Sequence, residues 1–251
     1  MTSSVRDAVV RLAEMPGVAE GVESARGTID ALLWRRDVRS AASECTAASR
    51  AQGAQASAAM DGADIAVVDN SPMGRVLAAA QAITGEVPNQ VDMWSRAPLQ
   101  VLAHMHAITA HEHASPDELG RPRTEGQQAD DPLNLGSPPT AREAAGRLAL
   151  LGDLVTDARE ESALVVAGIV HAELLAARPF AWGSGLIARA SVRLVLADRG
   201  VDPSLFSIPE VGMLRIGRAS CARAIKSYSS GDMPGYFGWF LQSVQAGAQA
   251  I

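Results

Sequence analysis

The sequence predicts an all-α protein, and three observations support this fold class. Hydrophobic residues make up 47% of the 251 residues and alanine is frequent, a composition that favours helices around a substantial core. Apolar residues recur at helical spacing in several segments, whereas the alternation typical of strands is scarce. Capping residues, prolines and glycines mark where these segments start and stop.

The first part of the chain, residues 1–96, is predicted to form an N-terminal helical region. Met1 to Glu14 alternates charged and apolar residues like an amphipathic helix. Residues 36–63 are rich in Ala, Ser and Gln, which fits either a helix or a loosely ordered linker.

The second part, residues 97–247, is predicted to form the core. Its first helix is expected over Pro98–His113, with an apolar stripe of Leu99, Val101, Leu102, Met105 and Ile108. Residues 114–139 are rich in Pro, Gly, Asp and Gln and predict a long, exposed and mobile connection. Thr140 and Glu143 have the spacing of a capping box and begin the next helix.

Two further helices are predicted on either side of a glycine-rich turn. Residues 160–177 are apolar around most of the helix circumference, as in a helix at the middle of a bundle. The second helix covers Leu186–Asp198, after which Gly200 ends it and Pro203 prevents its return. An aromatic-rich turn at residues 231–241 starts the last helix and is interpreted as a hydrophobic lid on the core.

The turn between the two central helices carries the most informative motif, Arg178-Pro179-Phe180-Ala181-Trp182-Gly183-Ser184-Gly185-Leu186-Ile187-Ala188-Arg189. It resembles the Fic family motif H-P-F-x-D/E-G-N-G-R-x-x-R. The matching positions are Pro179, Phe180, Gly183, Gly185 and Arg189. The flanking helices and the aromatic closing segment resemble the family too, which implies a Fic-like helical bundle over residues 97–247. Members of the family often carry a short flap hairpin in the connection before the motif, yet Thr124–Asp131 lacks strand-like alternation.

The differences from the family motif remove its chemistry. In the family, the motif histidine deprotonates a target hydroxyl that attacks the α-phosphate of ATP, and the acidic residue binds Mg²⁺. Arg178 stands in place of that histidine and cannot accept a proton at neutral pH. Trp182 replaces the acidic residue and offers Mg²⁺ no oxygen. Because Ser184 replaces the asparagine and Leu186 the first phosphate-clamping arginine, we assign no catalytic residue and no metal site.

The remaining motif residues predict a turn with a positive field. Gly183 and Gly185 permit a sharp turn into a helix whose free N–H groups favour an anion, and Arg178 and Arg189 flank this turn. One interpretation is an anion or nucleotide pocket without chemistry, and the other is a turn retained because it packs the centre of the fold. No cofactor is expected, and a bound nucleotide such as ATP is not expected to bring Mg²⁺.

A second resemblance lies upstream, at residues 57–62. Many Fic proteins carry an inhibitory helix with the pattern S/T-x-x-x-E-G/N, whose glutamate pairs with the second motif arginine. Ser57, Asp61 and Gly62 fit this pattern with Asp in place of Glu, and the resemblance implies a pair between Asp61 and Arg189. The same residues also fit an ordinary helix end with Gly62 after the cap.

The favoured function is a pseudoenzyme with a regulatory or interaction role. The alternatives are a sensor that binds a nucleotide or phosphate at the motif, and a transferase with non-standard chemistry that draws its base from outside the motif, for which Ser184 and His171 are the nearest candidates.

Composition restricts the partners. The net charge of −6 argues against a nucleic-acid binder, and no apolar run approaches the roughly 20 residues that a membrane span needs. Four histidines, His104, His106, His111 and His113, lack metal-ligand spacing. Two cysteines without metal or redox spacing favour a cytoplasmic protein. The expected partner is an unidentified protein, and the resemblance adds a homodimer because Fic proteins commonly dimerise.

Overall fold

The computed structural model describes residues 2–64, 66 and 71–251, and within these ranges it contains helices and no strands. The prediction of an all-α protein is confirmed. The described residues form twelve helices: α1 (Thr2–Ala13), α2 (Val18–Trp34), α3 (Arg36–Ser40), α4 (Ala42–Met60), α5 (Pro72–Trp94), α6 (Pro98–Thr109), α7 (Ala141–Asp157), α8 (Ala163–Ala177), α9 (Ser184–Asp198), α10 (Pro209–Ile216), α11 (Arg218–Ser229) and α12 (Met233–Ala248). In this part of the chain every helix is too short or too polar to cross a bilayer.

Helices α8 and α9 form the centre of the bundle and hold the motif between them. Ser162 caps α8 by accepting a hydrogen bond from the Val165 N–H at 3.4 Å. Most of α8 and nearly all of α9 are buried. Apolar residues cover the circumference of α8, whereas α9 also buries Arg189 and Arg193. The aromatic side chains of α12 close this centre, with Tyr236, Phe237 and Phe240 fully buried.

Helix α4 is held on α9 by two buried arginines that lie one helical turn apart. Arg189 donates to Ser57, and Arg193 donates to Ser49 at the other end of the contact. Arg193 also pairs with Glu210 of α10 at 2.7 Å. Residues 36–63 are therefore largely helical, so that of the two forms predicted for this segment the helix is the one found.

The first core helix is shorter than predicted. Helix α6 ends at Thr109 rather than at His113, and the following turn is closed by a hydrogen bond from the His113 N–H to the Ala110 carbonyl at 2.8 Å. This turn brings the ring of His113 against Trp182, a tertiary contact that competes with continuing the helix. Of the predicted stripe, Val101, Leu102 and Met105 are buried, whereas Leu99 is 41% exposed.

The connection between α6 and α7 lies across the motif, a placement that was not predicted. As predicted, most of residues 114–139 are exposed or half-buried, and only Arg123 and Leu133 are buried there. The Arg123 N–H donates to the Pro179 carbonyl at 2.7 Å, and the Asp130 N–H donates to the Ala181 carbonyl at 2.9 Å. The buried Arg123 side chain donates to the Arg178 carbonyl at 2.8 Å. No strand forms here, which agrees with the lack of apolar alternation. The predicted capping box of Thr140 and Glu143 begins α7.

Candidate functional site: the motif turn between α8 and α9

Two residues with left-handed backbones bracket the motif turn. Arg178 follows the last residue of α8 with φ 43° and ψ 64°, and Gly183 precedes α9 with φ 80°. Glycine adopts this region freely, whereas an arginine there is uncommon and must be held by its surroundings. The Arg178 guanidinium is held through Nη2, which donates to the Gly136 carbonyl at 2.6 Å.

The Arg178 side chain is buried beside a carboxylate. It is only 4% exposed, and its Nη1 lies 3.3 Å from Asp131 Oδ1. This distance describes an ion pair without the alignment of a hydrogen bond, since neither Nε nor Nη1 has a hydrogen-bond partner among the described residues. A charged guanidinium fixed in this way has no free lone pair with which to accept a proton.

Phe180 anchors the turn in the core. Its ring is 1% exposed and stacks on His106 of α6, with centroids 4.3 Å apart and an interplanar angle of 13°. His106 Nδ1 accepts a hydrogen bond from the Gly120 N–H at 3.0 Å. Burial lowers the pKa of His106 to about 4, so the imidazole is neutral at pH 7. These contacts favour the interpretation that the turn is retained for packing.

Trp182 stacks on His113, with ring centroids 3.6 Å apart and planes inclined by 6°. The half-buried Trp182 indole occupies the position at which the Fic motif has its acidic residue. Leu186, in place of the first motif arginine, is fully buried among apolar residues. The turn therefore presents an aromatic ring where the family motif has an acidic residue, and an aliphatic side chain where it has an arginine.

Two carboxylates of the chain itself lie at the N-terminus of α9. The Gly183 N–H donates to Asp130 Oδ2 at 3.1 Å. Asp61 lies beside Gly185, where an added Cβ would be 3.0 Å from Asp61 Oδ1. Helix N-termini favour anions because their first N–H groups are free and the helix dipole is positive there. In this protein, the carboxyl groups of Asp61 and Asp130 lie at that position.

The segment over residues 57–62 crosses Arg189. Arg189 is 1% exposed, and its Nε donates to Ser57 Oγ at 2.8 Å while Nη2 donates to the Ser57 carbonyl at 3.0 Å. Nη2 also lies 2.8 Å from Asp61 Oδ1, as an ion pair without hydrogen-bond alignment. Asp61 caps α4, and Gly62 follows with φ 89°. The two interpretations of this segment are therefore compatible in one structure.

Burial and mutual repulsion act on the two carboxylates. Burial raises the pKa of Asp61, although the nearby Arg189 opposes this effect. Burial, followed by the charge of Asp61, raises the pKa of Asp130 to about 7, against the opposing effects of the Gly183 N–H, Arg178 and Arg189. Asp130 is therefore expected to be protonated in a large fraction of molecules at neutral pH.

The two candidate bases named from the sequence lie in unsuitable surroundings. Ser184 is buried, and its hydroxyl points to the Phe180 carbonyl at 3.4 Å. His171 is fully buried and its Nδ1 lies 3.0 Å from the Tyr236 hydroxyl, which donates to the Gly168 carbonyl. Burial lowers the pKa of His171 to about 3. Among the described residues, neither side chain forms a hydrogen bond with the carboxylates of the turn.

Asp130, whose carboxylate accepts a hydrogen bond from the Gly183 N–H of the turn, was not predicted from the sequence. It belongs to the connection that was expected to be exposed, and no repeating pattern marks it. The one available signal was the acidic pair of Asp130 and Asp131 ahead of Pro132. The second acid of this pair accepts hydrogen bonds from the N–H groups of Leu135 and Gly136 at 2.8 and 2.9 Å, which orders the connection locally.

Comparison with solved structures identifies the fold of this chain. A Fic family protein from Desulfovibrio desulfuricans G20 superposes with a TM-score of 0.73 at 19% identity, over 94% of this chain and 74% of that one. This protein has the Fic fold. A fragment of Fic-1 from C. elegans gives a TM-score of 0.70 at 17% identity over 92% of this chain and 70% of the fragment. A glutamate-to-glycine variant of that fragment gives 0.65 at 15% identity, over the same shares of both chains.

In contrast to the structural comparison, no family model and no curated protein matches the sequence of the chain significantly. The likeness to the Fic fold therefore rests on the arrangement of the helices, and the site must be judged from its own residues. In the part of the chain that the structure describes, no three His, Cys, Asp or Glu residues come together in a group that could hold a metal ion.

Proposed function

We propose that this protein is a catalytically degenerate member of the Fic fold, with a regulatory or interaction role and without AMP transfer. The observation that carries the proposal is the pair of carboxylates at the N-terminus of α9. A nucleotide phosphate at that turn would have to displace Asp130 from the Gly183 N–H and lie close to Asp61. Asp61 and the ionised fraction of Asp130 repel an anion in this partly buried site, so the chain itself opposes an anionic ligand there.

The groups around the turn do not fit a bound Mg²⁺. A hard cation needs several oxygen ligands, but Trp182 contributes a ring stacked on His113. Asp61 is already paired with Arg189, and Asp130 with the Gly183 N–H. The proposal therefore includes no metal and no nucleotide cofactor.

The motif also lacks a general base. Arg178 is fixed by the Gly136 carbonyl and Asp131, and a guanidinium does not deprotonate a hydroxyl. Loss of a base, a metal and a phosphate clamp removes contributions that are each typically worth several kcal/mol of barrier. An interaction with a protein partner, which includes a second copy of this chain, is the role that remains open to the fold.

A transfer assay with labelled ATP tests the proposal. Wild type, Asp61→Asn and Asp130→Asn are incubated with labelled ATP and Mg²⁺, alone and with cell extract, and covalent label on protein is measured. We expect no label above background with any of the three. Because Asp61→Asn removes the charge nearest Arg189, it also tests whether an inhibitory carboxylate merely hides an active site. Label that depends on the protein, in either wild type or Asp61→Asn, would refute the pseudoenzyme assignment.

One observation favours a second candidate, a transferase that uses a base from outside the motif. Asp130 touches the motif turn and its pKa is about 7, close to the value that suits a general base at neutral pH. In that case, wild type would label a substrate and Asp130→Asn would not. An exposed carboxylate of the same connection, Glu125, provides the matched control, and Glu125→Gln should leave such labelling unchanged.

A further inference from the structure

A separate cavity of about 390 Å³ lies between α11 and the end of the connection before α7. Its polar lining consists of Ser137, Arg147, Arg178, Lys226, Ser229 and Ser230, and no carboxylate among the described residues lines it. Three cations around one cavity are unexpected in a chain whose net charge is −6. From this arrangement we infer that the cavity binds a small phosphate monoester, at a site distinct from the N-terminus of α9.

Two of the cations are positioned in advance by neighbouring acids. The Arg147 guanidinium makes two hydrogen bonds to Glu173, from Nε at 2.8 Å and from Nη2 at 2.9 Å. Arg178 is held by the Gly136 carbonyl and by Asp131, both outside the cavity lining. The Nε of Arg178 has no hydrogen-bond partner among the described residues although the side chain is 4% exposed. A buried N–H without a partner is costly unless a ligand or water satisfies it.

Lys226 supplies the uncompensated charge. It is the only lysine of the chain, which otherwise uses arginine for its basic residues. Lys226 is exposed and makes no ion pair in the part of the chain that the structure describes. Its place in the last turn of α11 also complements the helix dipole, which accounts for a basic residue but not for the two arginines that meet it at the cavity.

The cationic side chains, rather than the hydroxyl groups, provide the recognition. Ser229 and Ser230 donate to the carbonyls of Ile225 and Ser227, each at 2.9 Å, so their protons are already used. Apolar side chains, those of Leu135 and Ile225 among them, line the rest of the cavity. A phosphate group on a small organic body matches both parts of this lining, and the volume lies within the range of small-molecule sites.

The cavity shares Arg178 with the motif turn, but Gly183, Gly185 and Arg189, the residues at the N-terminus of α9, do not line it. Phosphate binding and AMP transfer can therefore succeed or fail separately. A protein that lacks AMP transfer would still bind the phosphate ester here. The result of the transfer assay therefore does not decide whether this cavity binds a phosphate ester.

The test is calorimetric titration of the full chain with ribose 5-phosphate and with inorganic phosphate, at low and at moderate salt. The key variant is Lys226→Gln, since Lys226 is exposed and forms no ion pair with another described residue. Arg223→Gln is the control, because Arg223 is an exposed cation of the same helix that does not line the cavity and whose one hydrogen bond within the described residues is to Ser220. We expect binding of ribose 5-phosphate with a Kd below about 1 mM, weakened by salt. Lys226→Gln should raise this Kd by at least about fivefold, and Arg223→Gln by less than about twofold.

Amide chemical shifts locate the bound probe. Ribose 5-phosphate should shift the resonances of Ser137, Lys226 and Ser230 and leave those of Gly183 and Gly185 in place. The proposal is overturned if neither probe binds below about 1 mM, if the two variants weaken binding equally, or if the shifts centre on Gly183 and Gly185.

Discussion

Asp61 at the end of α4 lies 2.8 Å from Arg189 of α9, and both side chains are buried. The pair joins the N-terminal region to the helix that follows the motif. Ser57 accepts two hydrogen bonds from the same guanidinium, so the segment and the arginine form one unit. The contact gives the segment over residues 57–62 a structural role, whether or not it also regulates a ligand.

Replacing Arg189 should destabilise the protein strongly. Arg189→Ala leaves the Asp61 carboxylate buried without its counter-charge, and breaking a buried pair in this way typically costs about 3–5 kcal/mol. The free energy of unfolding from denaturant titration measures the loss. Arg26→Ala is the control, because Arg26 pairs with Asp30 on the exposed face of α2 and should cost less than about 1 kcal/mol. Equal losses in the two variants would mean that the Asp61 contact contributes little.

The pH dependence of stability should reveal Asp130. Its pKa in the folded protein is about 7, above the ordinary value of 3.8, so between these values the folded state binds more protons than the unfolded state. The free energy of unfolding therefore falls as pH rises from about 4 to about 7. Asp130→Asn cannot titrate, so its stability relative to wild type should rise over this window, by on the order of 3 kcal/mol. A relative stability that stays constant across the window would exclude a raised pKa for Asp130.

The close contact of α10 with α12 should be intolerant of a single methyl group. A Cβ on Gly212 would lie 1.8 Å from the Ser243 carbonyl oxygen and 2.7 Å from the Gly247 nitrogen, so the helices would have to separate. Gly212→Ala should lower the free energy of unfolding by about 3 kcal/mol or more. Gly238 of α12 has no neighbour within 4 Å of such a Cβ, and Gly238→Ala should raise stability by about 0.5–1 kcal/mol. Similar effects of both substitutions would contradict this helix packing.

Much of the fold could be predicted because local signals and burial point the same way. The uniform apolar surface of α8 predicts its central position, and Thr140 with Glu143 predicts the start of α7. The end of α6 could not be predicted, because nothing between Thr109 and His113 resembles a stop signal. That end depends on the stacking of His113 against Trp182, a residue far along the chain.

The site was predictable only where a motif or a resemblance marked it. The pairing of Asp61 with Arg189 follows from the resemblance at residues 57–62, and the geometry of Gly183 follows from the need for a left-handed residue before α9. Asp130 could not be found in this way. Its position results from backbone hydrogen bonds between the connection and the motif, and the sequence contains no periodic signal for such contacts.

In the proposed function, the carboxyl groups of Asp61 and Asp130 take the place of an anionic ligand at the motif turn. Calorimetric titration with ATP, with and without Mg²⁺, tests this claim most directly when wild type is compared with the variant that carries both Asp61→Asn and Asp130→Asn. We predict no measurable heat with wild type and at least tenfold tighter binding by the double variant, because the charge of Asp61 and that of the ionised fraction of Asp130 are gone. A wild-type Kd below about 100 μM, equivalent to roughly −5.5 kcal/mol, would contradict the claim, as would a double variant that binds no better than wild type.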